Sequence, residues 1–240
     1  MKILVVNDDS IHASGIAVLA KEAMKLGEVT VVAPAHQCSA MSQKISIHAP
    51  LMVEQVDFPV PVKAAYQVDG TPADCVKVAL RYILKEKPDY VFSGVNDGYN
   101  VGYDIAYSGT LGAAFEAVMN GIPAIAFSNA MGGSLETAER YLAEIAGELM
   151  EEGQARGEVW NVNFPSTPSG EVKGILRDRT VAPTAFYRDS YAAEELPGGA
   201  AKLTAQGIPL TSPEEVPAGS DAEAVLRGCI SVGKVKCVVL

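Results

Sequence analysis

Apolar positions change their spacing repeatedly along the chain, and each change marks an element. Ile3-Leu4-Val5-Val6 is an unbroken, β-branched-rich run of the kind carried by a strand buried on both faces. From Gly15 the period becomes helical, with Ile16, Leu19, Ala20, Ala23 and Met24 on one face and Gly27 placed to end the helix. Val29 to Ala33 predicts a second buried strand. Between residues 34 and 70 no helical period holds. Short strands are expected at Ile45-Ser46-Ile47 and Leu51-Met52-Val53, before Pro59 and Pro61 break the pattern.

Thr71-Pro72-Ala73-Asp74 is a helix start, with a capping threonine, a proline in the first turn and an acidic residue behind it. Val76, Ala79, Leu80, Ile83 and Leu84 form that helix's apolar face. A strand over Asp89 to Phe92 follows. A helix over Ser108 to Gly121 then buries Leu111, Ala114, Phe115, Val118 and Met119. Pro123 to Phe127 predicts a strand, Ser134 to about Met150 a helix capped by Ser134, and Val159 to Phe164 another strand.

Strands alternating with amphipathic helices over residues 1–165 predict right-handed βαβ units, an α/β fold and a mostly parallel sheet. Residues 166–224 are rich in Pro, Gly, Ala and Thr and have no strong period, and Cys229 to Leu240 predicts terminal β structure. A core over 1–165 with an extension over 166–240 is the expected organisation.

At 240 residues the chain can bury a sizeable core, and its 48% hydrophobic and 20% charged residues exclude a disordered chain. Charge narrows the partners. Lys plus Arg number 19 against 29 Asp plus Glu, a net −10 without any basic stripe, so a nucleic-acid duplex is excluded as a partner. No apolar run approaches the ~20 residues of a membrane span. Met1-Lys2 leads straight into a strand with no signal-like segment, so a cytoplasmic location is expected. Cys38, Cys75, Cys229 and Cys237 form no CxxC pair and are expected as free thiols.

In an open parallel sheet, ligands bind outside the carboxyl ends of the strands. Polar residues stand at four such ends: Asn7 to Ser10, Pro34 to Ser42, Ser93 to Gly112, and Ser128-Asn129. Asp8-Asp9 is the sharpest signal. Adjacent carboxylates converge only where a strand gives way to a turn, and their joint charge calls for a hard cation such as Mg²⁺ or Mn²⁺. Asp9 or Ser10 could instead simply cap the next helix. Ser93 to Asp104 carries three glycines spaced by four among Asn96, Asp97, Asn100 and Asp104. It could bring backbone and amide oxygens to a ligand or be ordinary turn chemistry. Ser108-Gly109-Thr110 opens an apolar helix with two hydroxyls and unpaired N–H groups, which suits an anion or an ordinary cap. The pattern lacks GxGxxG and the P-loop signature. His12, His36 and His48 have no metal-ligand spacing, and no base is placed beside Cys38.

Taken in order, Val5 to Ser10, Ala33-Pro34 leading to Ser39, Gly70 to Cys75, Ser93 to Gly98 with Tyr107 to Thr110, and Asn161 to Pro165 resemble the SurE family of survival proteins, metal-dependent nucleoside-monophosphate phosphatases. The resemblance covers roughly residues 1–165. It implies a Rossmann-like core, one divalent cation on Asp8, Asp9, Ser39 and Asn96, and catalysis centred on Asp8 and Asp9. It also implies phosphate contacts from Asn96, Ser108, Gly109 and Thr110, a nucleoside monophosphate substrate, and a homodimer or homotetramer built with a C-terminal β-hairpin. Two other readings stay open on the residues: transfer through a phosphorylated Asp8, and a non-catalytic nucleotide- or metal-sensing module.

Overall fold

The computed structural model describes all 240 residues. Strand β1 (Lys2–Val6) runs up the middle, and α1 (Ser14–Ala23) crosses back over one face before β2 (Glu28–Pro34). β3 (Val53–Gln55), β4 (Ala64–Val68), α2 (Pro72–Val78) with a π-helical turn at Ala79–Ile83, and β5 (Tyr90–Asp97) come next. A 3-10 turn at Tyr103–Tyr107, α3 (Gly109–Met119), β6 (Ala124–Asn129), α4 (Glu136–Glu152) and β7 (Glu158–Phe164) follow. β8 (Ile175–Arg179), the hairpin β9 (Tyr187–Glu195) and β10 (Ala201–Pro209), α5 (Asp221–Leu226) and β11 (Ile230–Lys236) end the chain.

One nine-stranded sheet has the order β3-β4-β2-β1-β5-β6-β7-β11-β8. Its six central strands, β4 through β7, are all parallel. Their order is that of the doubly wound nucleotide-binding sheet, in which the chain reverses direction on either side of β1. β3 pairs antiparallel with β4, and β11 antiparallel with β7. Two apolar layers hold the helices to the faces. Ile16, Leu19, Leu142, Ile145 and Leu149 of α1 and α4 pack with Ile3, Val5, Phe92 and Phe127 on one side. Val76 and Leu111, Ala114 and Ala117 of α2 and α3 pack with Leu4, Val6, Val91 and Ala124 on the other. α/β architecture and the mostly parallel sheet are as the alternating periods predicted.

Four local expectations are corrected. Ile45 to Ile47 form no strand; Ser46 instead bonds through its N–H (3.0 Å) and hydroxyl (2.8 Å) to Asp74, so a buried carboxylate takes the place of a ladder. The neighbouring strand lies at Val53–Gln55 rather than Leu51 to Val53. Asn96 and Asp97 lie on a strand rather than in a loop, because β5 continues to Asp97 through a register shift after Ser93. Gly94 makes that possible: its φ is +134°, and a Cβ there would fall 2.1 Å from the carbonyl oxygen of Phe127. Ser134 lies two residues before α4, where its hydroxyl accepts from Glu136 N at 3.2 Å, and Leu135 takes the cap position.

The weakly patterned stretch after residue 165 divides in two. β8 and β11 join the main sheet with α5 packed on β11, and Val101, Ala182, Phe186, Leu210, Val216, Ala222 and Val225 make a third apolar cluster beside it. β9 and β10 pair only with each other, in nine antiparallel registers from Tyr187↔Pro209 to Glu195↔Ala201. All four cysteines are buried free thiols, and no helix is long and apolar enough to cross a membrane.

Candidate active site at the end of the central strand

β1 ends at Val6, and the next residues turn at the point where the sheet reverses. Asn7 donates its amide to the carbonyl of Ser10 at 2.8 Å, and Ser10 adopts a φ of +95°, which closes the turn and throws Asp8 and Asp9 out of strand alternation. Neither Asp9 nor Ser10 caps α1, whose N-cap is Ala13 without any side-chain bond. The two carboxylates therefore have no structural duty at that helix.

Asp8 is 4% exposed. Thr110 donates its hydroxyl to Asp8 Oδ1 at 2.7 Å and its N–H to Oδ2 at 3.2 Å. Burial pushes the Asp8 carboxyl up to about 6 against those Thr110 bonds, with the charge of Asp9 pushing the same way. Asp9 is also raised by burial, while the N–H of Asp97 (2.9 Å) and the Gln37 side chain favour its charged form. No ion pair of the protein includes Asp8 or Asp9. Two adjacent carboxylates, one nearly sealed from water, thus stand without a cation from the protein. That is a strong electrostatic demand for one.

Ser39 and Asn96 reach the same strand ends by different routes. The Cys38 N–H donates to the carbonyl of Asp8 at 2.7 Å, which brings the exposed Ser39 to the end of β1. Asn96 is the penultimate residue of β5, paired with Ser128 of β6, and its amide nitrogen donates to Gly98 O at 2.7 Å, leaving the amide oxygen as the outward end. Two carboxylates, a hydroxyl and an amide oxygen are an all-oxygen donor set, the chemistry a hard divalent cation takes.

The Ser108-Gly109-Thr110 turn closes the other side. Ser108 is the N-cap of α3 and accepts from Leu111 N at 3.1 Å. Thr110 is committed to Asp8, and Leu111 N to Ser108, which leaves the Gly109 N–H free of either. Gly109 must be glycine, because a Cβ would meet Asp8 Oδ2 at 2.9 Å and Cys38 O at 3.3 Å. The structure thus brings Asp8, Asp9, Asn96 and Ser108 to Thr110 together at one end of the sheet, with Ser39 beside them. His12, His36 and His48 are exposed. Cys38 contributes its backbone to this end; its thiol lies toward Gly70 O at 3.6 Å.

Between Asn96 and Ser108 the chain is pinned by residues that periodicity could not reveal. Asn100 donates its amide to Ser128 Oγ at 2.8 Å and its N–H to Asn163 Oδ1 at 2.9 Å. Its carbonyl accepts from Asn161 at 2.8 Å and Asn163 at 3.2 Å. Asp221 accepts from Gly102 N at 3.1 Å, and Asp104 from Phe186 N and Tyr187 N, both at 2.9 Å. Tyr187, from the stretch without periodicity, accepts from Tyr99 N at 3.3 Å and stands over Gly98. The local signal for this anchoring was the density of Asn and Asp; only the fold supplies their partners.

A family model described as Survival protein SurE matches residues 3–185. The protein named 5'-nucleotidase SurE of Moorella thermoacetica is 43% identical over 75% of this chain and 70% of its own length. The one of Brucella canis is 37% identical over 97% of this chain and 91% of its own. Among solved structures, the crystal structure of the SurE protein from Aquifex aeolicus superposes with a TM-score of 0.83 at 34% identity, over 98% of this chain and 93% of that one.

Proposed function

The chain belongs to the SurE family, and from that premise we propose that it is a divalent-metal-dependent phosphatase that hydrolyses nucleoside 5'-monophosphates to nucleoside and phosphate. Relatives from several bacteria bear the name 5'-nucleotidase, which supports a hydrolase acting on nucleotides. The observation that carries the reading is the Asp8-Asp9 pair, held at the reversal point of the sheet against the first turn of α3 without a basic partner.

Asp8, Asp9, Ser39 and Asn96 would hold the cation, Mg²⁺ or Mn²⁺. Such an ion, when bound, neutralises phosphate charge and lowers the pKa of a water molecule. Asp8 is fixed by Thr110 and orients the attacking water. Phosphate would lie against Asn96, Ser108, Gly109 and Thr110, where the free N–H of Gly109 and the start of α3 would stabilise the growing charge while Thr110 keeps its hold on Asp8. A cytoplasmic enzyme acting as a homodimer or homotetramer fits the free thiols and the hairpin that stands apart from the main sheet. Release of phosphate from AMP or GMP with either metal, abolished by a chelator, tests the reading. A pure protein inert toward a broad phosphomonoester panel with several metals would refute it.

A further inference from the structure

A cleft of about 390 Å³ opens on the α1 side of the Asp9–Asn96 pair. Its polar lining includes Ser14, Gln37, Asp97 and Asn129 besides Asp9 and Asn96, and no lysine, arginine or histidine lines it. A larger apolar groove of about 670 Å³ touches Ser108 but none of Asp8, Asp9 and Asn96. A phosphate ester held between the carboxylates and α3 therefore has the polar cleft next to it for the alcohol half.

The chemistry of the lining is specific. Asn129 is 2% exposed, and its amide nitrogen donates to Gly133 O (3.3 Å) and Ser134 O (3.2 Å), while its amide oxygen has no partner in the protein. A buried acceptor without a donor costs stability unless a ligand supplies one. Asp97 is aimed by the N–H of Gly132 at 2.6 Å and keeps its second oxygen as an acceptor. Gln37 adds an amide with both functions. Donors and acceptors of this kind suit hydroxyls and ring amides. Asp97 is exposed and makes no ion pair, so its carboxylate faces the cleft with no basic side chain against it.

Resting on the nucleotidase reading, we propose that this cleft holds the leaving nucleoside, and that Asp97 both accepts from it and turns away leaving groups that bear a further phosphate. The alcohol half should be neutral and rich in hydrogen-bonding groups.

The test compares wild type with Asp97→Asn, which keeps the oxygen that accepts from Gly132. The substrates are AMP, phenyl phosphate (whose alcohol offers no further hydrogen-bonding group) and adenosine 3',5'-bisphosphate. The variant should lower the ratio of kcat/KM for AMP to that for phenyl phosphate about 5-fold, the worth of one hydrogen bond. It should also raise the bisphosphate-to-AMP ratio about 10-fold, as a like charge is removed. Both ratios unchanged in an active variant would overturn the cleft assignment alone. Wild type inactive on AMP and phenyl phosphate alike would refute the nucleotidase reading, and this proposal with it.

Discussion

Thr110, second residue of α3, gives Asp8 both its hydroxyl (2.7 Å) and its N–H (3.2 Å), joining a helix start on one face of the sheet to the end of the central strand. Removing the hydroxyl with Thr110→Val takes away a bond to a charged group, worth about 1.5–3 kcal/mol. AMP hydrolysis should fall roughly 10- to 100-fold on that basis. Thr110→Ser should recover most of it, and thermal unfolding should report a folded protein in both cases. Full activity in Thr110→Val would show that Asp8 needs no such support.

Asn163 is the hub of the chain segment between Asn96 and Ser108, accepting from the N–H of Asn100 and donating to its carbonyl. Asn163→Ala leaves a buried N–H without its acceptor, so stability should drop about 1–3 kcal/mol. Urea unfolding measures this. A change below a few tenths of a kcal/mol would mean that the segment is held elsewhere.

Asp221 supplies the pH dependence. It accepts from the N–H groups of Gly102 (3.1 Å), Ala182 (2.9 Å) and Ala222 (2.7 Å), yet burial raises its carboxyl above the ordinary range in spite of these bonds. The folded protein then holds a proton at pH values where the unfolded chain has released it. Stability from this group is therefore fullest below about pH 4 and declines as pH rises through its raised value. The stability difference between wild type and Asp221→Asn, from urea unfolding at several pH values, should favour wild type most at the acid end. A difference that grows toward neutral pH would contradict the assignment.

Much of the core was legible because its elements satisfy themselves locally. Ile3 to Val6 reads as a doubly buried strand from composition alone, and Thr71 with Asp74 forms the capping box its spacing announces. Asp8-Asp9 was legible because adjacent carboxylates at a strand end have few structural uses. Other features depend on partners far along the chain. Ser93-Gly94 reads as a turn but continues β5 because Phe127 lies against it, and Ser46 needs Asp74. Tyr187 and Asp221 act on residues 88 and 119 positions away, respectively. Gln37, Asp97 and Asn129 meet in one cleft only through the strand order. β9 and β10 could not be read from an inward face because they have none.

That hairpin yields a prediction about assembly. β10 is exposed throughout and β9 at all but Tyr187 and Ser190, with Tyr191 at 58%, Leu203 at 59% and Ile208 at 53%. A two-stranded ribbon is marginal by itself in water, so a second copy should cover it. Light scattering at micromolar concentration should give a dimer or larger. Replacing residues 188–208 with a short Gly-Ser linker should give a folded monomer, since Tyr187 and Pro209 already face each other across the stem. A monomeric wild type would contradict this.

The most direct test of the central claim is phosphate release from AMP by wild type and Asp8→Asn, each with Mn²⁺ or Mg²⁺ and with excess chelator. Wild type should turn over with metal and stop with chelator, and Asp8→Asn should lose on the order of 10²–10³ in rate while remaining folded. Turnover that survives chelation, or an Asp8→Asn variant as active as wild type, would contradict a metal-dependent nucleotidase built on Asp8.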